Sequence, residues 1–395
     1  MRIGMILDKR FPPDPRVENE AISLIDHGHE VFLFSLKYLK KEHNDVVKGI
    51  QVKKYLSNKL TYKLSALAYT FPFYNYIMSK KIAHFLRTNK IEVIHIHDLQ
   101  IAESVFRANR ELKLKIILDL HENRPEIMKF YPHLQKFPGK LLISVKKWKA
   151  KEEEYIQKSD AIIVVTNEAK MELIERVGIG FNKIVVVPNT VYKSYFANAR
   201  FENKIIEKFK NDFVLLYVGD TGFRRGLKTV IDSVLILKDT IASLKLVVVG
   251  CNSYDKVLKN QVKELGIQKH VEFEGWQNEQ LFPSFITASS ICISPLHRNL
   301  HHDTTYANKL FQYMSFGKPV LVSNAIAQKN LIERTKSGLV HEDRDSVDFA
   351  NKILQLFKDK MFRDTLGKNG KRFVDEEFYW EKTSKDLINL YDNLN

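Results

Sequence analysis

The chain has 395 residues and only two cysteines, Cys251 and Cys292, neither with neighbours spaced as metal ligands. That argues against a disulfide framework and a zinc site, and a reducing compartment fits. No uncharged apolar run reaches the roughly 20 residues that cross a bilayer. Residues 1–7 read directly as a strand and lack the charged, apolar, small-residue order of a signal peptide, so the expected compartment is the cytoplasm. Acid is scarce in the first half: residues 1–200 hold 34 Lys and Arg against 22 Asp and Glu, and the net charge of the whole chain is +15. The imbalance is densest between residues 51 and 150. No zinc-finger spacing, RNP-type aromatic motif or helix-turn-helix pattern accompanies it, which argues against nucleic acid as partner. An anionic membrane surface is the other candidate, because residues 60–86 and 128–148 interleave aromatic and leucine side chains with lysines. Helices that merely cover a sheet would look similar.

Hydrophobic patterning supplies the architecture. Candidate strands lie at 2–7, 31–35, 51–55, 93–96, 115–119, 161–165 and 183–187, then at 213–218, 245–249, 271–273, 291–294, 319–322 and 338–340, with helical periodicity between most of them. Continuous apolar runs suit strands covered on both faces. Two series of alternating strands and helices imply two doubly wound parallel sheets, and the length suffices for two α/β domains. Pro188, Asn189 and Thr190 form a natural linker. Ligands of such sheets bind beyond the carboxyl ends of strands, so the loops there hold the candidate chemistry.

After 213–218 the chain passes Gly219, Gly222, Arg224, Arg225 and Gly226 and enters a helix. Glycines let backbone approach a ligand, the first helical N–H groups lack partners, and arginines add bidentate phosphate donors. An ordinary strand-to-helix turn with solvated arginines would read the same way. Residues 301–323 run from a polar loop into a short helix at 308–315, a stop at Gly317 and a strand. In the first half, Asp8 to Arg16 follows the first strand, His95-Ile96-His97-Asp98 the fourth, and Asp119-Leu120-His121-Glu122 the fifth. Alternation puts His95 and His97 on one face. No third ligand is spaced to complete a site with them and Asp98, so no metal is assigned. Asp343-Arg344-Asp345 reads as a loop or helix cap rather than an Asp-x-Asp metal motif.

Taken together, these stretches resemble the family 4 glycosyltransferases, retaining enzymes of group 1 type with the GT-B fold. The resemblance runs through Pro15-Arg16-Val17, Gly28-His29-Glu30-Val31, Asp119-Leu120-His121-Glu122, Pro188-Asn189, Arg225-Gly226, the segment from Lys309 to Met314 with Gly317-Lys318-Pro319-Val320, and Tyr379-Trp380-Glu381. It implies two Rossmann-like doubly wound parallel-sheet domains facing across a cleft. Residues 1–189 would form the acceptor side, with a C-terminal helix at 376–395 crossing back to it, and residues 190–375 would bind the nucleotide sugar. The implied reaction moves a sugar from a nucleotide-diphosphate donor to a hydroxyl of a lipid-linked or surface-polysaccharide acceptor, with retention and without a metal or other cofactor. His121 and Glu122 take the catalytic positions. Donor binding falls to Gly222, Arg224, Arg225, Thr304, Thr305, Asn308, Lys309 and Gln312, with Arg225 and Lys309 on the diphosphate. Arg16, His97 and Asp98 lie on the acceptor side, Arg16 either as an anion contact or paired with Glu20. Cations at helix starts do little for the helix itself, and a bound anion would resolve that conflict.

The chain also departs from the family pattern. Asp220 stands where a basic residue usually follows the first glycine of the phosphate turn. Gln312 replaces the ribose-binding glutamate, and Thr304 replaces the earlier glutamate of the pair, with Asp303 beside it as a substitute. Pro12 and Pro13 replace a Gly-Gly pair. These changes suit a different donor or a protein that binds without catalysing. A catalytically silent nucleotide-sugar-binding partner and a GT-B-fold nucleotide-sugar epimerase are the alternatives. The expected location is the cytoplasm, peripheral on the inner face of the plasma membrane.

Overall fold

The computed structural model describes residues 1–37, 43–131, 134, 136–137, 139–194 and 198–394. They divide into two compact units, Met1–Asn189 with Ser384–Asn395, and Thr190–Thr383.

Unit 1 contains β1 (Arg2–Leu7), β2 (Glu30–Lys37), β3 (His43–Val47), β4 (Ile50–Leu56), β5 (Val93–His97), β6 (Lys115–Leu120), β7 (Ala161–Val164) and β8 (Ile184–Val186). Their order is β3-β4-β2-β1-β5-β6-β7-β8. All pairs are parallel except β3 with β4, an antiparallel hairpin at the sheet edge. Its turn, Lys48-Gly49, has φ of 51° and 86°, the paired left-handed conformation that two-residue hairpins require. The polar start of β3, His43-Asn44-Asp45, hides it from apolar patterning.

Unit 2 contains β9 (Phe213–Val218), β10 (Leu244–Val249), β11 (Val271–Gly275), β12 (Ile291–Ser294), β13 (Val320–Ser323) and β14 (Gly338–His341), parallel throughout, in the order β11-β10-β9-β12-β13-β14. Every residue of β9 is buried. Phe213, Leu215 and Tyr217 enter the core on one face of the sheet, while Val214, Leu216 and Val218 enter the core on the other. Each such leucine or valine contributes about 1.5–3 kcal/mol on burial.

Unit 2 closes later in the sequence than residue 375. The helix Lys360–Glu376 gives Phe373 and Val374 to its core. Trp380 N donates to Val191 O at 2.9 Å, and the Thr190 and Thr383 hydroxyls meet at 2.7 Å. Only the helix Lys385–Asp392 belongs to unit 1, where it buries Leu387, Ile388 and Tyr391. No helix among the described residues is long and apolar enough to cross a membrane.

In each sheet the strand order reverses once, between β1 and β5 and between β9 and β12. Loops leaving the carboxyl ends of those strands diverge and leave room for a ligand.

Candidate active site

In unit 1 the helix Pro15–Asp26 starts from an Asp14 cap, whose carboxylate accepts from Val17 N at 3.3 Å, with Pro15 in the first position. Arg16 therefore sits in the first helical turn, where the dipole disfavours a cation. Asp119, near the end of β6, compensates. Arg16 Nε and Nη2 donate to its two carboxylate oxygens at 3.1 and 2.8 Å, Nη1 donates to Val187 O at 3.0 Å, and Glu20 Oε1 lies 3.0 Å from Nη2. With these donors engaged and the residue 4% exposed, Arg16 is not the anion contact expected of it; the pairing with Glu20 is what forms. Burial, only partly offset by Arg16, holds the Glu20 carboxyl above its usual range.

His121 is the most exposed member of this row. Its Nε2 lies 2.8 Å from Asp119 Oδ2, and its Nδ1 lies 3.8 Å from Asp98 Oδ2. Burial presses its pKa down, but Asp119 and Asp98 outweigh burial and push it up to about 9. The ring is a cation at neutral pH and a hydrogen-bond donor. Burial likewise opposes charge on Asp98, yet His121, Lys9 and Arg124 lower it to about 2, and Lys9 Nζ donates to it at 3.1 Å. Asp98 has φ 68° and ψ 157°, a conformation that costs a non-glycine residue about 1–3 kcal/mol and tends to mark functional loops. Beside His121, Glu122 accepts from Arg124 at 3.2 Å, and Arg124 also donates to Gln100 at 2.8 Å.

His97 and Asp98, read from the sequence as acceptor-side groups, are buried. His97 stacks on His95 with centroids 4.5 Å apart, and His95 Nδ1 meets the Tyr391 hydroxyl at 2.9 Å. They form a scaffold under His121 rather than a surface for a substrate. The fold also supplies what spacing did not: ligand-type atoms of Glu20, His95, His97 and Asp119 all lie within 4.8 Å of one another, the one such group among the described residues. Arg16 contacts both carboxylates and provides a counter-charge from the chain itself.

In unit 2 the turn after β9 is built around glycine. Gly226 has φ 74°, and a Cβ there would stand 1.7 Å from Pro295 O. The helix Leu227–Leu237 begins at this glycine with no side-chain cap, and in its first turn Thr229 N donates to Gly226 O at 3.1 Å. Asp220 belongs to the turn's own framework. It accepts from Gly222 N at 3.0 Å and Asn252 Nδ2 at 2.6 Å and lies 3.5 Å from Arg225 Nε. The Arg224 carbonyl accepts from His297 N at 2.9 Å, tying the turn to the loop after β12.

The helix Lys309–Ser315 is anchored by Tyr313, whose hydroxyl accepts from Val218 N at 2.8 Å. One helical turn earlier on the same face, Lys309 places its ammonium 3.4 Å from the centroid of the Tyr217 ring. Burial and then Arg225 depress Lys309 well below the usual lysine range. His301 and His302, not singled out by the sequence reading, are held neutral chiefly by burial, with values lowered to about 2 and 3. His302, Arg224 and Arg225 add to this at His301, and at His302 burial with Arg225 and Arg224 outweighs the hydrogen bond to His297 O that favours the proton. A histidine pair preceding the Asp303-Thr304-Thr305 loop was the available signal.

The structure also places the remaining donor-side residues. Asn308 and Gln312 are exposed and partly exposed, respectively. The Thr304 and Thr305 hydroxyls donate to Leu300 O and His301 O at 2.8 and 2.6 Å, leaving oxygens only as acceptors. Asp303 does not stand in for the missing glutamate. It pairs with Arg298 at 3.2 Å and accepts from Ile326 N at 3.0 Å. Asp345 caps the helix Ser346–Lys358, and Asp343 accepts from His297 Nδ1 at 2.9 Å, consistent with a structural reading of that pair.

Two doubly wound units, one with an anion-suited turn at its switch point, define the GT-B class. The family model for Glycosyltransferase Family 4 matches residues 16–194, and that for Glycosyl transferases group 1 matches residues 198–373. The chain belongs to the family 4, group 1 glycosyltransferases. An uncharacterized glycosyltransferase of Methanocaldococcus jannaschii is 23% identical over 60% of this chain and 59% of its own. The capsular polysaccharide biosynthesis glycosyltransferase CapM of Staphylococcus aureus is 24% identical over 58% of each. The chain spans about three fifths of the length of these curated relatives. Among solved structures, HepE of Anabaena in complex with UDP matches with a TM-score of 0.74 at 14% identity, covering 100% of both chains, a likeness of fold.

Proposed function

We propose that the protein transfers a sugar from a nucleotide-diphosphate donor, UDP-linked first among candidates, to a hydroxyl of a lipid-linked or surface-polysaccharide acceptor, with retention. The observation that carries this reading is the position of Lys309, whose side-chain nitrogen lies 3.4 Å from the Tyr217 ring centroid near the end of β9, with Arg225 in the turn that β9 leads into. Asp220, 3.5 Å from Arg225 Nε, offsets only part of the repulsion between the two cations, and a diphosphate is an anion of the right kind to offset the rest. UDP and a polysaccharide acceptor are suggested by what the names of HepE and CapM state.

In this reading the bond from the anomeric carbon to the diphosphate oxygen breaks, and its electron pair leaves with the diphosphate. Arg225 and Lys309 stabilise the charge that develops there, the largest share of such a rate enhancement. The acceptor hydroxyl forms the new glycosidic bond and passes its proton to the leaving phosphate. No protein nucleophile is assigned. His121, a cation at neutral pH, serves as a donor of hydrogen bonds rather than a base, and its catalytic position rests with Glu122 on the family motif. Because side-chain cations neutralise the leaving group, turnover proceeds in EDTA.

Thermal unfolding with UDP, GDP, ADP and CMP in EDTA tests the reading. One nucleotide raises the midpoint of the wild type and leaves Arg225→Ala unmoved; no shift with any nucleotide rejects the phosphate site. One observation favours a second reading, a protein that binds the nucleotide sugar without turnover: Asp303 is committed to Arg298 and Ile326 N, and Thr304 offers no carboxylate for the sugar. Nucleotide binding without hydrolysis or transfer of any matching sugar would select it.

A further inference from the structure

From residue 59 to residue 88 the sequence has no Asp or Glu and five Lys or Arg, and from 127 to 150 it has no Asp or Glu and six lysines. Both segments lie in unit 1, and the fold joins them. Thr70 Oγ1 donates to Leu142 O at 2.7 Å, and the Tyr69 ring meets Trp148 edge-on with centroids 4.6 Å apart.

The outside of this joint is apolar. The helix Phe73–Thr88 already buries Tyr74, Met78, Ile82 and Phe85 on its core face. On its other face Phe73, Tyr76 and Ile77 are 63%, 57% and 40% exposed, followed one turn on by Lys80, whose ammonium lies 4.3 Å from the Tyr76 ring centroid. Across the joint Phe137 and Leu141 are 83% and 76% exposed, with Lys136 and Lys140 exposed beside them. A folded core does not leave large apolar side chains clustered in water without use.

We propose that this surface docks unit 1 on an anionic lipid bilayer. The aromatic and leucine side chains enter the boundary between headgroups and acyl chains, and the lysines stay at the level of the lipid phosphates. Charge selects this occupant. A second copy would bring two basic faces together, and a nucleic acid would use the lysines but not Phe137 or Leu141. Docking is independent of the transfer chemistry, so its test needs no donor.

The test is flotation of the full chain with phosphatidylcholine vesicles, with and without phosphatidylglycerol. The wild type partitions more than tenfold better into the anionic vesicles. The combined variant Phe73→Ser, Tyr76→Ser, Phe137→Ser, Leu141→Ser loses that partition while keeping its circular dichroism, because all four side chains are exposed. Phe137→Ser alone, at the most exposed of the four, gives a partial loss if the combined variant does not fold. Lys80→Glu with Lys140→Glu lowers partition by roughly fivefold or more per lysine, and added salt does the same to the wild type. Equal binding to neutral and anionic vesicles overturns the proposal. So does an apolar variant that binds as the wild type does, which would point to nucleic acid or an acidic protein. A dimer that the apolar variant dissolves, with no vesicle binding, overturns it in favour of self-association.

Discussion

His97 Nδ1 lies 3.2 Å from His121 Nε2, and the two imidazoles titrate on opposite sides of neutrality. Burial and the neighbouring His95 lower His97 to about 3. Burial acts the same way on His121, but Asp119 and Asp98 overcome it and raise the pKa to about 9. The Nε2 proton of His121 goes first to Asp119 Oδ2 at 2.8 Å, and His97 lies beside that bond as a neutral ring.

The joint contribution of these two histidines to the stability of unit 1 should therefore be greatest near pH 6.5. His121 has a folded pKa above the ordinary 6.5, so its contribution is full below that value and is lost as pH rises through about 9. His97 has a folded pKa below the ordinary 6.5, so the stability it permits is present above that value and is lost as pH falls toward about 3. Thermal unfolding from about pH 4 to 10 should give a curve with two falling limbs, and His121→Gln should flatten the alkaline one. An alkaline limb of full size in the variant would assign it to other groups.

Asp119 is the common counter-charge of Arg16 and His121. Asp119→Asn leaves the buried guanidinium with Glu20 alone, a carboxyl that burial already holds above its usual range. Removing one partner of such a pair costs about 3–5 kcal/mol. Urea denaturation should find a loss of that size, and the His121 pKa followed by NMR should drop toward the ordinary histidine range. A loss under about 1 kcal/mol would mean that Arg16 has found another partner.

The apolar strands were legible because their burial on both faces leaves no polar alternation to read, as in β9. The hairpin strand β3 was not, because its polar residues satisfy edge pairing rather than a core. The local Asp-x-His-Glu motif made the pairing of His121 with Asp119 two residues before it a short-range matter. The fate of Arg16 was not: its partner Asp119 lies 103 positions away, and only the sheet order brings them together. The same holds for the Tyr391 hydroxyl on His95, 296 positions apart, and for the return of the chain to unit 1 at Ser384 rather than at residue 376. Charge on a residue can be read locally, but whether the fold spends it internally or presents it cannot.

Two glycines of the phosphate turn should behave differently. Gly226→Ala forces a left-handed φ on a side chain, about 1–2 kcal/mol, and drives its Cβ to 1.7 Å from Pro295 O, so the loop after β12 must move. Gly222 has φ −60°, and a Cβ there meets only Asp220 and Asn252 side-chain atoms at 3.4–3.5 Å. Gly226→Ala should lower the unfolding midpoint and abolish nucleotide stabilisation, whereas Gly222→Ala should leave the midpoint nearly unchanged. Equal tolerance at both positions would show that the turn does not hold the geometry described.

Lys309 should trade stability for binding. Its ammonium loses hydration against Tyr217 and stands near Arg225, which together depress it well below the lysine range. In a protein without ligand that is a cost, and Lys309→Met, which keeps the length and the contact with the ring, should raise the unfolding midpoint. A charge-assisted bond to a phosphate contributes about 1.5–3 kcal/mol, so the same variant should weaken nucleotide-diphosphate binding by roughly 10- to 150-fold. Opposite signs in the two measurements are what a binding cation requires, since a lysine kept for packing alone would lose stability on substitution and leave calorimetric affinity unchanged. If Lys309→Met destabilises the protein and binds nucleotide as the wild type does, the diphosphate is held elsewhere, and the proposed assignment of donor binding to this helix fails with it.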